Sequence, residues 1–258
     1  TNIHNWSRQF KQEGRPFDVD QFLREVKELG MTGIEARFNN VFTIAPSNLK
    51  TKLREYGLQA TAVGASVTAE PYAPNVEDYQ AQIRAAAELE APLLMVCGGF
   101  LANNRRNTYP ADYDRFADSL GAAIEFAAGH GVTLAFHPHR GCIVETIAET
   151  RMMVDRLPEL KLCIDTAHLA SSGEDAAKFA ETFADRIVHT HIKDYDSSTL
   201  QFCEPGTGDS PLCDIRAVLE ILRGAGYEGP LCLELDGGGE LQRPAKESAR
   251  MSLEFMRG

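Results

Sequence analysis

Apolar residues along this chain fall into short runs separated by longer stretches of mixed character. Seven of the runs read as strands: Ile34–Arg37, Ala60–Ala65, Leu93–Cys97, Thr133–Phe136, Leu162–Ile164, Ile187–Ile192 and Leu231–Leu235. Between them, apolar positions recur at helical spacing. Phe22, Val26 and Leu29 stand at i, i+4 and i+7, as do Phe116, Leu120 and Ala123, and Val218, Leu219, Ile221 and Leu222 give a later helix its apolar side. Gly30, Gly57, Gly131 and Gly226 each lie between a helical stretch and the next strand, the usual place for a residue that closes a helix.

A helix, a glycine stop and an apolar strand, repeated, make a series of βα units. Thr1–Trp6 is read as an eighth, short strand at the start, and eight such units in about 250 residues are the arithmetic of a (β/α)8 barrel. A doubly wound sheet is the rival, but no GxGxxG follows an early strand. With no composition break, low-complexity tract or linker, residues 1–258 read as one α/β TIM-barrel domain. Two connections are long: Gly98–Asp112, which carries Arg105 and Arg106, and Lys193–Pro211, which carries Pro205-Gly206-Thr207-Gly208-Asp209. Both follow strand C-termini, the end on which barrel active sites are built.

Charge and cysteine usage narrow the function classes. The chain carries 37 acidic residues against 26 Lys and Arg, a net charge of −11. That balance argues against nucleic-acid binding, which needs a basic face, and leaves metal cations and small polar substrates as expected partners. No apolar run approaches the roughly 20 residues of a bilayer span, and Thr1–Phe10 lacks the apolar core of a signal peptide. Cys97, Cys142, Cys163, Cys203, Cys213 and Cys232 make no CxxC pair and read as reduced, mostly buried thiols of a cytoplasmic protein.

The histidines carry the sharpest chemical signal. Five of the seven, His137, His139, His168, His189 and His191, lie at or just beyond three successive strands. Period-two alternation puts His137 and His139 on one side of their strand and His189 and His191 on one side of theirs. Asp165 ends an apolar run, where an acid is either a helix N-cap or a ligand. Glu234 lies within Leu231-Cys232-Leu233-Glu234-Leu235-Asp236. A charged side chain in a strand core costs several kcal/mol unless it is paired or bound to a metal. Asp165, His191 and Glu234 together make a nitrogen–oxygen site suited to Mn²⁺, Mg²⁺, Co²⁺ or Zn²⁺, and the lack of a thiolate favours a catalytic over a structural ion.

The strings Phe136-His137-Pro138-His139, Cys163-Ile164-Asp165-Thr166-Ala167-His168, His189-Thr190-His191-Ile192-Lys193-Asp194 and the run from Gly226 to Glu234 occur in that order. They resemble the sugar isomerase/epimerase family with the xylose-isomerase-like barrel. Ketose 3-epimerases, hydroxypyruvate isomerase, inosose dehydratase and, more distantly, DNA-repair nucleases of the endonuclease IV type belong to it. The resemblance implies one divalent ion at the C-terminal face, Mn²⁺ foremost, with Asp165, His191 and Glu234 as ligands and His168 on the substrate side. The family's fourth ligand is a Glu where this chain has His137. Either His137 binds the ion or Glu145, eight residues on, folds back to do so. The reading favours Glu145, because three carboxylates suit a hard cation and leave His137 and His139 to the substrate. The alternative is that Glu145 merely precedes a helix N-cap at Thr146.

The implied activity is isomerisation or epimerisation of a sugar or keto-sugar, through proton abstraction and an enediolate. The alternative is a lyase, either of the keto-inositol dehydratase type or one cleaving a C-glycoside of a 3-keto sugar. Glu145, Glu234 and His137 are the candidate proton-transfer groups, with Glu35, His139, His168 and Lys193 holding substrate oxygens. Competing roles are a Lys193–Asp194 pair, a Glu35–Arg37 pair, and core packing for Trp6 and Phe38 in place of walling the pocket. Arg105 and Arg106 either bind a phosphate or are solvated. No membrane partner is expected, and pairing of barrels into a homo-oligomer is left open.

Overall fold

The computed structural model describes residues 1–38, 42–66, 75–99, 110–236 and 241–258. Strands β1 (Gly33–Ala36), β2 (Gln59–Ser66), β3 (Leu93–Cys97), β4 (Thr133–Phe136), β5 (Lys161–Asp165) and β6 (Ile187–Ile192) pair in sequence order. After a small hairpin, β7 (Asp194–Asp196) with β8 (Gln201–Cys203), the strand β9 (Leu231–Leu233) joins β6. The seven paired strands are parallel and form a nearly closed barrel. They are the seven apolar runs of the sequence, with ends displaced by no more than two residues.

The opening segment departs from expectation. Helix α1 (His4–Gln12) begins where a strand was expected, because Ile3, Trp6 and Phe10 recur at helical spacing and are all buried. Only Asn2 bridges to the sheet, opposite Glu35. The Thr1 ammonium donates to the Gly33 carbonyl at 3.0 Å, the Glu35 N–H donates to the Thr1 carbonyl at 2.8 Å, and the Asn2 N–H donates to the Leu233 carbonyl at 3.0 Å. Two residues thus tie β1 to β9 where an eighth strand would lie.

Helices α2 (Val19–Glu28), α3 (Pro46–Tyr56), α4 (Val76–Leu89), α5 (Pro110–Ala128) and α6 (Ile147–Arg156) alternate with the first strands. Helices α7 (Thr166–Ser171), α8 (Ala176–Phe183), α9 (Ile215–Gly224) and α10 (Ala245–Arg257) follow the later ones. Gly57 closes α3 at φ 66°, a left-handed conformation that glycine adopts without steric cost. Trp6 belongs to the core: its ring meets Phe22 edge-on at 5.0 Å and its indole N–H donates to Glu25 at 2.7 Å. Phe38 is half-buried and packs on Phe42. All six cysteines are free, and five are buried.

Of the two long connections, residues 100–109, with Arg105 and Arg106, lie outside the described residues. The other is more ordered than a loop. Its β7–β8 hairpin is held by Asp194, whose carboxylate accepts the N–H groups of Tyr195, Gly206 and Gly208 at 2.8, 2.9 and 3.2 Å. A side chain at Gly208 would collide with that carboxylate, so the turn requires glycine. No helix among the described residues is long and apolar enough to cross a membrane.

Candidate metal centre

The C-terminal ends of β4, β5, β6 and β9 converge on one buried cluster of ionisable side chains. Asp165 ends β5 and caps α7, as the N-cap reading of it expects. Its Oδ1 accepts the N–H groups of Ala167 and His168 at 3.1 and 2.9 Å, while Oδ2 faces the cluster. On β6, period-two alternation directs His189, His191 and, one step beyond the strand, Lys193 into the barrel. Glu234 and Asp236 follow β9 with the same alternation, and His137 and His139 follow β4 with ring centroids 5.2 Å apart.

Three potential ligand atoms, from His137, Asp165 and His191, lie close enough together for one ion, and Glu234 stands beside His191 without joining that group. His137 Nε2 is 3.4 Å from Asp165 Oδ2, His191 Nδ1 is 3.6 Å from the same oxygen, and His191 Nδ1 is 3.0 Å from Glu234 Oε2. Bonds of about 2.0–2.2 Å to a common centre put donor atoms about 3–3.5 Å apart. His137 Nδ1 and His191 Nδ1 are buried and make no hydrogen bond. Lys193 Nζ stands 2.6 Å from Asp165 Oδ2, 2.6 Å from Glu234 Oε2 and 2.7 Å from Asp236 Oδ1. Three carboxylates surround one ammonium in this largely buried pocket, with the imidazoles of His137 and His191 beside them. The donor set and its charge therefore suit a divalent cation.

The electrostatics keep the oxygen ligands ionised. Burial works against the Asp165 carboxylate, but Lys193 and the neighbouring imidazoles hold its pKa well below the usual range. Glu234 is likewise held down to about 2, against burial, by His191 and Lys193. Burial pulls His137 below the ordinary imidazole value despite Asp165, which favours the neutral ring a metal needs.

A second group of imidazoles lies beside the first. His137 and His168 have ring centroids 5.4 Å apart, and His139 stacks on His168 at 3.7 Å. His168 Nε2 reaches Asp236 Oδ2 at 3.3 Å. Phe202, from the hairpin, meets His168 edge-on at 4.7 Å and lies 5.2 Å beneath the Lys193 ammonium.

Several sequence expectations change. Glu35 pairs with His189 and His191 rather than Arg37, and it lies too deep to meet a substrate: 1% of it is exposed and both carboxylate oxygens are taken by protein donors. Lys193 pairs with Asp165, Glu234 and Asp236 rather than Asp194, whose carboxylate is committed to the hairpin. Glu145 belongs to none of the possible ion-binding groups among the described residues. Its Oε2 accepts the Gly141 N–H at 3.2 Å, and its own N–H donates to Glu149, the acid of a capping box on Thr146. Asp236 and Phe202 were missed. Alternation from Glu234 marks Asp236, but no sequence signal marks Phe202, whose place depends on the hairpin.

Comparison with known proteins agrees with this fold. The chain belongs to the xylose isomerase-like TIM barrel family, which it matches over residues 23–258. It is 26% identical to an inosose dehydratase of Geobacillus thermodenitrificans, over 90% of this chain and 86% of that one. Among solved structures, the IolI protein with a bound zinc atom superposes with a TM-score of 0.80 at 15% identity, covering 99% of this chain and 95% of that one. An L-ribulose 3-epimerase superposes with a TM-score of 0.78 at 17% identity, covering 99% and 92%. The inosose dehydratase and the L-ribulose 3-epimerase are enzymes.

Proposed function

We propose that the protein is a divalent-cation-dependent enzyme acting on a keto-sugar or related polyhydroxy ketone, and that it begins by removing the proton beside the carbonyl. The convergence of His137, Asp165, His191 and Glu234 at the barrel mouth carries this reading. These four side chains would hold the cation, with Mn²⁺ the ion we favour; when bound, it polarises substrate oxygens and so acidifies the adjacent C–H. Glu234 is the base in this reading, through Oε1, the oxygen that contacts neither Lys193 nor His191. His139 and His168 face the substrate's oxygens and are the groups that return a proton to a departing hydroxyl. Lys193, paired with Asp165, Glu234 and Asp236, keeps these carboxylates charge-compensated.

Loss of water is the outcome we favour, since the curated relative reported above is an inosose dehydratase. Epimerisation or isomerisation shares the first step. The His168–Asp236 pair favours that second reading, because it supplies an acid–base couple separate from Glu234. The six free thiols accord with a reducing, cytoplasmic setting.

Incubation with Mn²⁺ and a keto-inositol or a ketohexose in D₂O, followed by mass spectrometry, tests the proposal. A product lighter by one water supports the lyase. An unchanged formula with deuterium at carbon supports the epimerase or isomerase. Recovery of every substrate unlabelled and intact contradicts both.

A further inference from the structure

Beneath the cation-binding cluster lies a second buried group, centred on Glu35 of β1. Its Oε1 accepts the Asn2 side-chain amide at 2.7 Å. Its Oε2 lies 2.6 Å from His189 Nε2 and 2.8 Å from His191 Nε2. The side chains of Glu35, His189 and His191 are at most 1% exposed, so no solvent competes for these bonds.

We propose that Glu35 is a positioning residue for the cation: by accepting the Nε2 proton of His191, it fixes that ring's orientation and leaves Nδ1 as the nitrogen offered to the ion. This inference rests on reading the neighbouring cluster as a cation site. Once an imidazole is bound to an ion it keeps one N–H, and an ionised carboxylate only accepts. With Oε1 committed to Asn2 and Oε2 facing His191 Nε2, the proton belongs on Nε2. The lone pair then falls on Nδ1, 3.0 Å from Glu234 Oε2 and 3.6 Å from Asp165 Oδ2. His189 donates to the same oxygen and holds the carboxylate from the other side.

Glu35, His189, His191 and Cys232 also lie close enough to hold an ion themselves. Two observations argue against that. The short imidazole–carboxylate bonds already use Oε2, and burial pushes the Cys232 thiol up to about 12, which keeps it protonated and a poor ligand. The group supports a metal ligand without being a metal site.

Zn²⁺ is a suitable probe because it is diamagnetic. In Zn²⁺-loaded wild-type protein, ¹⁵N NMR of the histidines should show His191 coordinated through Nδ1 with a hydrogen-bonded proton on Nε2. Glu35→Gln places an amide N–H among the donors around this position and should weaken Zn²⁺ binding about 10–100-fold, the usual effect of losing a ligand's supporting partner. Coordination of His191 through Nε2, or unchanged affinity in a folded Glu35→Gln protein, overturns the role of Glu35. The wild-type spectrum decides the question even if the variant does not fold. Absence of Zn²⁺ binding to the wild type would instead overturn the cation site, and this inference with it.

Discussion

The Lys193 ammonium donates to Asp165 Oδ2 across 2.6 Å, with both side chains wholly shielded from solvent. Glu234 and Asp236 approach the same nitrogen, so one cation serves three carboxylates. Removing one partner from a buried ion pair typically costs about 3–5 kcal/mol, because the remaining charge is left uncompensated. Lys193→Met should therefore lower the unfolding free energy of chelator-stripped protein by about that amount in urea titrations. Added Mn²⁺ should recover part of the loss, since binding to the native state alone stabilises it. A loss below about 1 kcal/mol, within the range of exposed pairs, would show that the cluster is not charge-compensated as described.

Acid should weaken the fold through the same cluster. The Glu234 carboxyl lies at about 2 in the folded protein against an ordinary value of 4.5, and Asp165 and Asp236 are displaced in the same direction. A depressed carboxyl contributes stability that is complete above its unfolded pKa and is lost as pH falls through the folded one. The melting temperature of the stripped protein should decline between about pH 4.5 and 2. The decline should be shallower in Glu234→Gln. Parallel curves for the two proteins would contradict this assignment.

Phe202 is half-buried on the hairpin and borders a cavity of about 410 Å³, also lined by Arg8 and Leu235. It touches His168 and lies beneath Lys193, but it is not part of the main core. Phe202→Ala should raise KM several-fold with little change in kcat, and cost about 1 kcal/mol or less of stability. Steady-state kinetics on the substrate identified by mass spectrometry checks this. An unchanged KM would remove the hairpin from the substrate pocket.

The barrel was legible because its determinants are local. Short apolar runs such as Thr133–Phe136 and Ile187–Ile192, and glycines such as Gly57, need no long-range partner to be recognised. That His137, Asp165, His191 and Glu234 gather at one end of the barrel was legible for a related reason: buried strands accept charge only where chemistry or pairing requires it. The structure departs from expectation where competing partners, distant or local, decide the outcome. In the sequence Glu35 offers a choice between Arg37 and substrate, and in the fold His189 and His191, 154 and 156 positions away, come to its carboxylate. Glu145 depends on a competition between the ion and its own loop, in which Gly141 and the Thr146–Glu149 capping box hold it. The Thr1–Trp6 segment turns helical at His4 because Ile3 and Trp6 belong to a helical period that becomes visible only when Phe10, beyond the segment, is included.

Calorimetric titration of Mn²⁺ into chelator-stripped protein tests the central claim most directly. The account predicts one ion per chain, binding abolished or severely weakened in Asp165→Ala and His191→Ala, reduced in His137→Ala and retained in Glu145→Gln. Undiminished binding in folded Asp165→Ala and His191→Ala proteins would contradict it.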